Sequence, residues 1–100
     1  MSSSLAVGLL RVVLHIPESG SLKSKRQVVS GLLRRVRTEF QVAAAEVGER
    51  GRWQLAELAI ACVSADSRHT DEVLANVLRY IESHCDGARI TDVSTELVRL

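Results

Sequence analysis

Apolar and polar positions change period several times along this chain, and each change marks an element. Residues 5–16, LAVGLLRVVLHI, form a nearly unbroken apolar run rich in valine and leucine, interrupted by Arg11 and ended by Pro17. That pattern predicts a buried strand. Residues 22–38 shift to helical spacing, with Val29, Leu32, Leu33 and Val36 on one stripe and Val28 at its margin. FQVAAAEV (40–47) reads as a second strand and WQLAELAIACVS (53–64) as a third, joined by a turn at 48–52 that holds two glycines. Residues 68–84 return to helical spacing, with Leu74, Val77, Leu78 and Ile81 inward. Asp66, Ser67 or Thr70 is suited to cap that helix, and Gly87 to end it. Residues 88–99 form a last strand, polar at Asp92, Ser94 and Glu96.

The order βαββαβ predicts an α+β, ferredoxin-like sandwich. Two helices lie on one face of a four-stranded antiparallel sheet of order 4-1-3-2, in one domain over residues 1–100. This topology sorts the loops. One edge of the sheet gathers His15, the 17–21 loop, the start of the first helix, the 48–52 turn, His84 and Cys85. The opposite edge gathers Asp66 and His69. Cys62 and Cys85 fall at opposite edges and cannot bond to each other.

Composition changes little in this picture. The chain has 100 residues, 46% hydrophobic, enough for one core, and a net charge of +1. The segment MSSS lacks a basic signal-peptide start, and no apolar run approaches the ~20 residues of a membrane span. A cytoplasmic location is expected. Two cysteines and three histidines supply no metal-ligand spacing, so no metal or cofactor is expected.

Charge distribution says more. Lys23, Lys25, Arg26, Arg34, Arg35 and Arg37 follow one another with no acid among them. Cations in a first helical turn oppose the helix dipole, whereas the second helix is expected to open with Asp71 and Glu72. On a helical wheel Lys25 and Arg26 project from the inward side of the first turn. Lys23, Arg34 and Arg37 lie along one outward flank, Arg35 on the other. A helix start with free N–H groups suits an anion, and the turn brings Arg50 and Arg52 to the same edge. The expected anion or RNA site is therefore Lys23, Lys25, Arg26, Arg50 and Arg52, with Arg34 and Arg37 a secondary flank. On this reading, neutralising Lys25 and Arg26 leaves stability unchanged or slightly raised, since a dipole penalty is removed. The competing reading is that these side chains reach solvent or pair with Glu18 and Glu49.

The helix-free face of the sheet is the second candidate surface. If Leu10, Val12, Leu14, Leu58 and Ile60 face the helices, then Val7, Leu9, Val13, Trp53, Leu55 and Ala59 face away, with Arg11 and Glu57 placed to pair across strands. Apolar positions on an open face suggest a partner, most simply a homodimer through Val7, Leu9, Val13, Trp53 and Leu55. Strand one carries no aromatic and strand three only Trp53, so RNA contact through base stacking on the central strands is not expected. No catalytic set is legible: Asp66 is suited to a cap beside His69, and Ser19 and Ser21 lack a base unless His15 serves.

The segments HIPESGSLKSKRQVV, FQVAAAEVG, WQLAELAIACVSAD and VLRYIES resemble the YlxP-like proteins, a small bacterial family without an assigned function. The resemblance spans about residues 5–98 and is most specific at Ser21–Arg26. It implies a ferredoxin-like fold and a cytoplasmic protein. It also implies gene neighbours among transcription-elongation, translation-initiation and ribosome-binding factors, and no catalytic residues. The expected function is thus a non-enzymatic binding protein, RNA- or ribosome-associated, that contacts phosphates through its basic edge. The alternative is a dimeric regulatory module holding a small anion. A phosphate-handling enzyme is a third reading, discriminated by turnover of acyl phosphates.

Overall fold

A computed structural model describes residues 4–17, 20–85 and 87–100. Glu18 and Ser19, named above as a pairing acid and a candidate hydroxyl, lie outside the described residues. The elements are β1 (Ala6–His15), α1 (Leu22–Phe40), β2 (Ala43–Val47), β3 (Leu55–Ser64), α2 (Ser67–His84) and β4 (Arg89–Arg99). Each neighbouring strand pair is antiparallel, and the sheet order is β2-β3-β1-β4, the expected 4-1-3-2 read from its other edge. The fold is the ferredoxin-like α+β sandwich.

Strand alternation makes the core. Leu10, Val12 and Leu14 of β1 and Ala56, Leu58 and Ile60 of β3 are buried on one face of the sheet. They pack with Val29, Leu32 and Val36 of α1 and with Leu74, Val77 and Ile81 of α2. Each valine, leucine or isoleucine among them contributes about 1.5–3 kcal/mol by leaving water, which is why the period-2 and period-3.6 stripes must meet. Gly8 lets α2 come close: a Cβ there would stand 2.3 Å from Thr70 Cγ2 and 2.7 Å from Leu74 Cδ1.

The two helices run antiparallel but offset. Phe40 meets Tyr80 edge to face at 5.5 Å, and the Arg35 guanidinium reaches the His84 carbonyl at 3.5 Å. The overlap therefore involves the last turns of both helices, and the first turns of α1 run on past the end of α2. The described residues extend over 55 × 23 × 19 Å. This offset leaves the outer flank of α1 beside β2 and the β2–β3 loop rather than beside another helix.

The start of α2 departs from expectation. The helix opens at Ser67 behind an Asp66 cap, and its first turn contains no acid. Arg68 and His69 occupy that turn, while Asp71 and Glu72 come later. The expected contrast between a conventional α2 and an anomalous α1 does not hold: neither first turn carries an acid, α1 has Lys23 and Lys25 there and α2 has Arg68.

Candidate functional site

The first turn of α1 is held from within. Ser21 caps it, its Oγ accepting the Ser24 N–H at 3.1 Å, while its carbonyl accepts the Lys25 N–H at 3.2 Å. Lys25 is fully buried. Its Nζ lies 2.7 Å from Glu46 Oε2 and donates to the Arg50 carbonyl at 2.8 Å. The carboxylate oxygen is held by charge rather than by a well-aligned hydrogen bond. A buried ammonium is strongly unfavourable unless it is paired and hydrogen-bonded, and both conditions are met here. Lys25 therefore leaves the predicted anion site. It ties α1 to β2 and to the β2–β3 loop, and its charge is spent on Glu46. Glu46 was missed in the sequence, although a signal existed: it keeps phase with Val42 and Ala44, on the side of β2 that faces the helices.

The other predicted cations face solvent. Lys23, Arg26 and Arg34 lie exposed along one flank of α1, and Arg50 and Arg52 are exposed in the β2–β3 loop. No ion pair engages any of the five among the described residues. Beside Lys23 and Arg26 runs an open groove of about 510 Å³, continued by Gln27 and Ser30 and closed by Glu46. Arg37 is occupied differently. Its Nε and a terminal nitrogen donate to the Ala44 carbonyl at 2.9 and 2.7 Å, which covers part of the exposed edge of β2. The Ser21 cap and the inward turn of Lys25 remove two features that a small-anion pocket at this helix start required.

The open face of the sheet divides into bands. At its upper end Val7 pairs in register with Val63 and Val98, and Leu9 with Ala61 and Glu96. Leu9 (41%), Val63 (66%) and Val98 (38%) are exposed there. Across the middle, Arg11 pairs with Glu57 and with Asp92, the latter at 3.3 Å. The Glu57 hydrogen bond, followed by the charges of Glu57 and Asp92, raises the Arg11 pKa above its ordinary value. Val13 lies half-buried between the two acids in register. At the lower end His15 pairs with Leu55 and Arg89, and Trp53 is 54% exposed. The five residues expected to form one interface therefore do not form one apolar patch: a polar band separates Val7 and Leu9 from Leu55 and Trp53.

The remaining candidates have local roles. Asp66 accepts the Arg68 N–H at 3.0 Å as a helix cap. His84 stacks on Tyr80, with ring centroids 3.9 Å apart. Cys62 and Cys85 are free. No helix among the described residues is long and apolar enough to cross a membrane.

Comparison with known proteins separates fold from function. The designed protein Foldit4 superposes with a TM-score of 0.55 at 16% identity, over 95% of this chain and 97% of that one. SnoaB, titled a cofactor-independent oxygenase from Streptomyces nogalater, superposes at 0.52 with 16% identity, over 96% and 92%. At such identities the likeness extends to the fold alone. The uncharacterized protein YlxP of Bacillus subtilis is 36% identical over 77 residues, covering 77% of this chain and 84% of the relative. The profile described as a protein of unknown function (DUF503) matches residues 7–95, and the chain belongs to that family.

Proposed function

We propose that this is a non-enzymatic RNA-binding protein that acts on RNA or a ribonucleoprotein by gripping phosphates. The contacts come from Lys23 and Arg26 on α1 and Arg50 and Arg52 in the β2–β3 loop, with Arg34 extending the flank. The observation that supports this reading is the set of exposed cations, none of them in an ion pair among the described residues, on a flank that α2 leaves uncovered. Such contacts are electrostatic and sequence-independent. Titration of a fluorescein-labelled single-stranded RNA should show a slope of log K against log salt near about −3 for four phosphates. The Lys23→Gln/Arg26→Gln double variant should shallow that slope by about 1.4. Absence of binding at low salt, or a double variant that binds as wild type does, would overturn the reading.

A second copy of the chain is the partner proposed for the upper open face, where Leu9, Val63 and Val98 stand exposed together. Three strands about 4.8 Å apart over about five residues offer roughly 240 Å² per copy, about 500 Å² in all. That is below the range of stable specific interfaces, so only weak pairing is expected. Light scattering should show wild-type mass rising with concentration and Leu9→Asp remaining monomeric. A wild-type monomer at high micromolar concentration would exclude the pairing.

A further inference from the structure

The lower margin of the open sheet face carries a second hollow, of about 470 Å³, lined by His15, Arg52, Trp53, Gln54 and Leu55. It lies at the same end of the molecule as the start of α1, because Lys25 is bonded to the carbonyl of Arg50 in the same loop. Three of its features lack a counterpart among the described residues. His15 Nδ1 is shielded from solvent yet has no hydrogen-bond partner; buried polar atoms are seldom left so. Trp53, a large aromatic, is 54% exposed. Arg52 in the wall and Arg89, opposite His15 in the β1–β4 register, enter no ion pair among the described residues.

We infer that this hollow holds one unstacked nucleotide of a single-stranded RNA, an inference that rests on the RNA-binding reading above. A nucleotide supplies what each feature lacks. Its base stacks on the Trp53 ring, an interaction every base can make. A base-edge group or ribose hydroxyl meets His15 Nδ1 once the ring turns that atom toward the hollow, where it donates or accepts according to its tautomer. The phosphate lies between Arg52 and Arg89, where charge-assisted hydrogen bonds are strongest. The volume falls within the usual range of small-ligand sites, about 300–1,000 Å³. The sequence suggested that the central strands lack a stacking platform, and they do. The platform lies in the loop before β3, beside the basic flank.

Trp53 is the only tryptophan, so its emission reports on this hollow alone. A mixed-sequence RNA decamer with a 3′ fluorescein should quench that emission with the same midpoint as its anisotropy rise. Trp53→Leu should weaken binding about 5- to 100-fold with the salt slope unchanged, since no phosphate contact is lost. Arg52→Gln with Arg89→Gln should together shallow the slope by about 0.7, because the two hold one phosphate. His15→Leu should weaken binding while leaving the melting temperature unchanged or higher, because His15 Nδ1 has no partner to lose among the described residues. If the RNA binds without quenching and Trp53→Leu binds as wild type does, the subsite is wrong while the RNA-binding reading stands. If the RNA does not bind at all, both fall. If adenosine monophosphate quenches Trp53 at lower concentration than the decamer, the occupant is a free nucleotide and the RNA subsite is refuted.

Discussion

The two helix starts face the same electrostatic difficulty and resolve it differently. Each places at least one cation and no acid in its first turn, against the dipole. α2 resolves it locally. The Asp66 carboxylate caps the turn, the Ser64 and Thr70 hydroxyls meet at 2.7 Å, and Gly8 lets Thr70 and Leu74 settle against β1. α1 has only a neutral Ser21 cap, and its compensation comes from another strand: Glu46 takes the charge of Lys25, and Lys23 and Arg26 are left in solvent. A first-turn cation is therefore no evidence of a ligand until its side chain has been followed to its end. Lys25 and Arg26 are adjacent in sequence, and only Arg26 keeps a free charge.

The largest effect should come from breaking the α1 device. Lys25→Ala leaves Glu46 facing the core without its partner and should cost about 3 kcal/mol, a fall in Tm of more than about 10 °C for a domain this size. Lys25→Met combined with Glu46→Leu should recover most of that loss, since an apolar pair can replace a buried ion pair. A Lys25→Ala protein that melts with wild type would show that the pair contributes nothing. The α2 device should come next. Gly8→Ala pushes a methyl into Thr70 and Leu74 and should cost about 2 kcal/mol by chemical denaturation. Adding Leu74→Ala to it should cost less than the sum of the two single changes, because they share one space.

The caps should differ by less. Asp66→Ala should cost about 1 kcal/mol and Ser21→Ala about 0.5 kcal/mol, the ionised cap being worth more against the dipole. Melting in 1 M salt should narrow the gap, since screening acts on Asp66 and not on Ser21. Equal losses at all salt concentrations would mean that the Asp66 charge is irrelevant. The smallest effect belongs to the solvent cations of α1. Lys23→Gln with Arg26→Gln should raise stability by no more than about 0.5 kcal/mol at low salt, a dipole penalty being relieved with nothing else lost. A clear fall in Tm would mean that these two are structural as well, and the proposed interface would lose its basis.

Much of the basic surface could be read in the sequence because exposed flanks follow helical spacing. Lys23 and Arg34 lie on the outward flank where the wheel places them, whereas Arg26, expected on the inward side with Lys25, is exposed on that same flank. Two kinds of error share one cause. An inward position on the wheel suggests access to a ligand for Lys25, whereas it points into the space between α1 and β2, where Glu46 and the Arg50 carbonyl hold it. The open sheet face was treated as one patch because alternation fixes which side a residue faces and says nothing about diagonal neighbours. Arg11 reaches Glu57 and Asp92 and divides that face.

Periodicity alone determined the six elements, their order and the antiparallel ferredoxin-like sheet. Each depends on short-range spacing and on burying one face of each element, and the chain's local rules agree. The tertiary structure alone decided which charges are spent and which remain. The offset of α1 past α2 uncovers one flank, the register of β2 brings Glu46 to Lys25, and the register of β1 gathers His15, Leu55 and Arg89. These pairings join residues tens of positions apart. Their energies depend on desolvation and on distances of a few ångströms, and no local pattern encodes either.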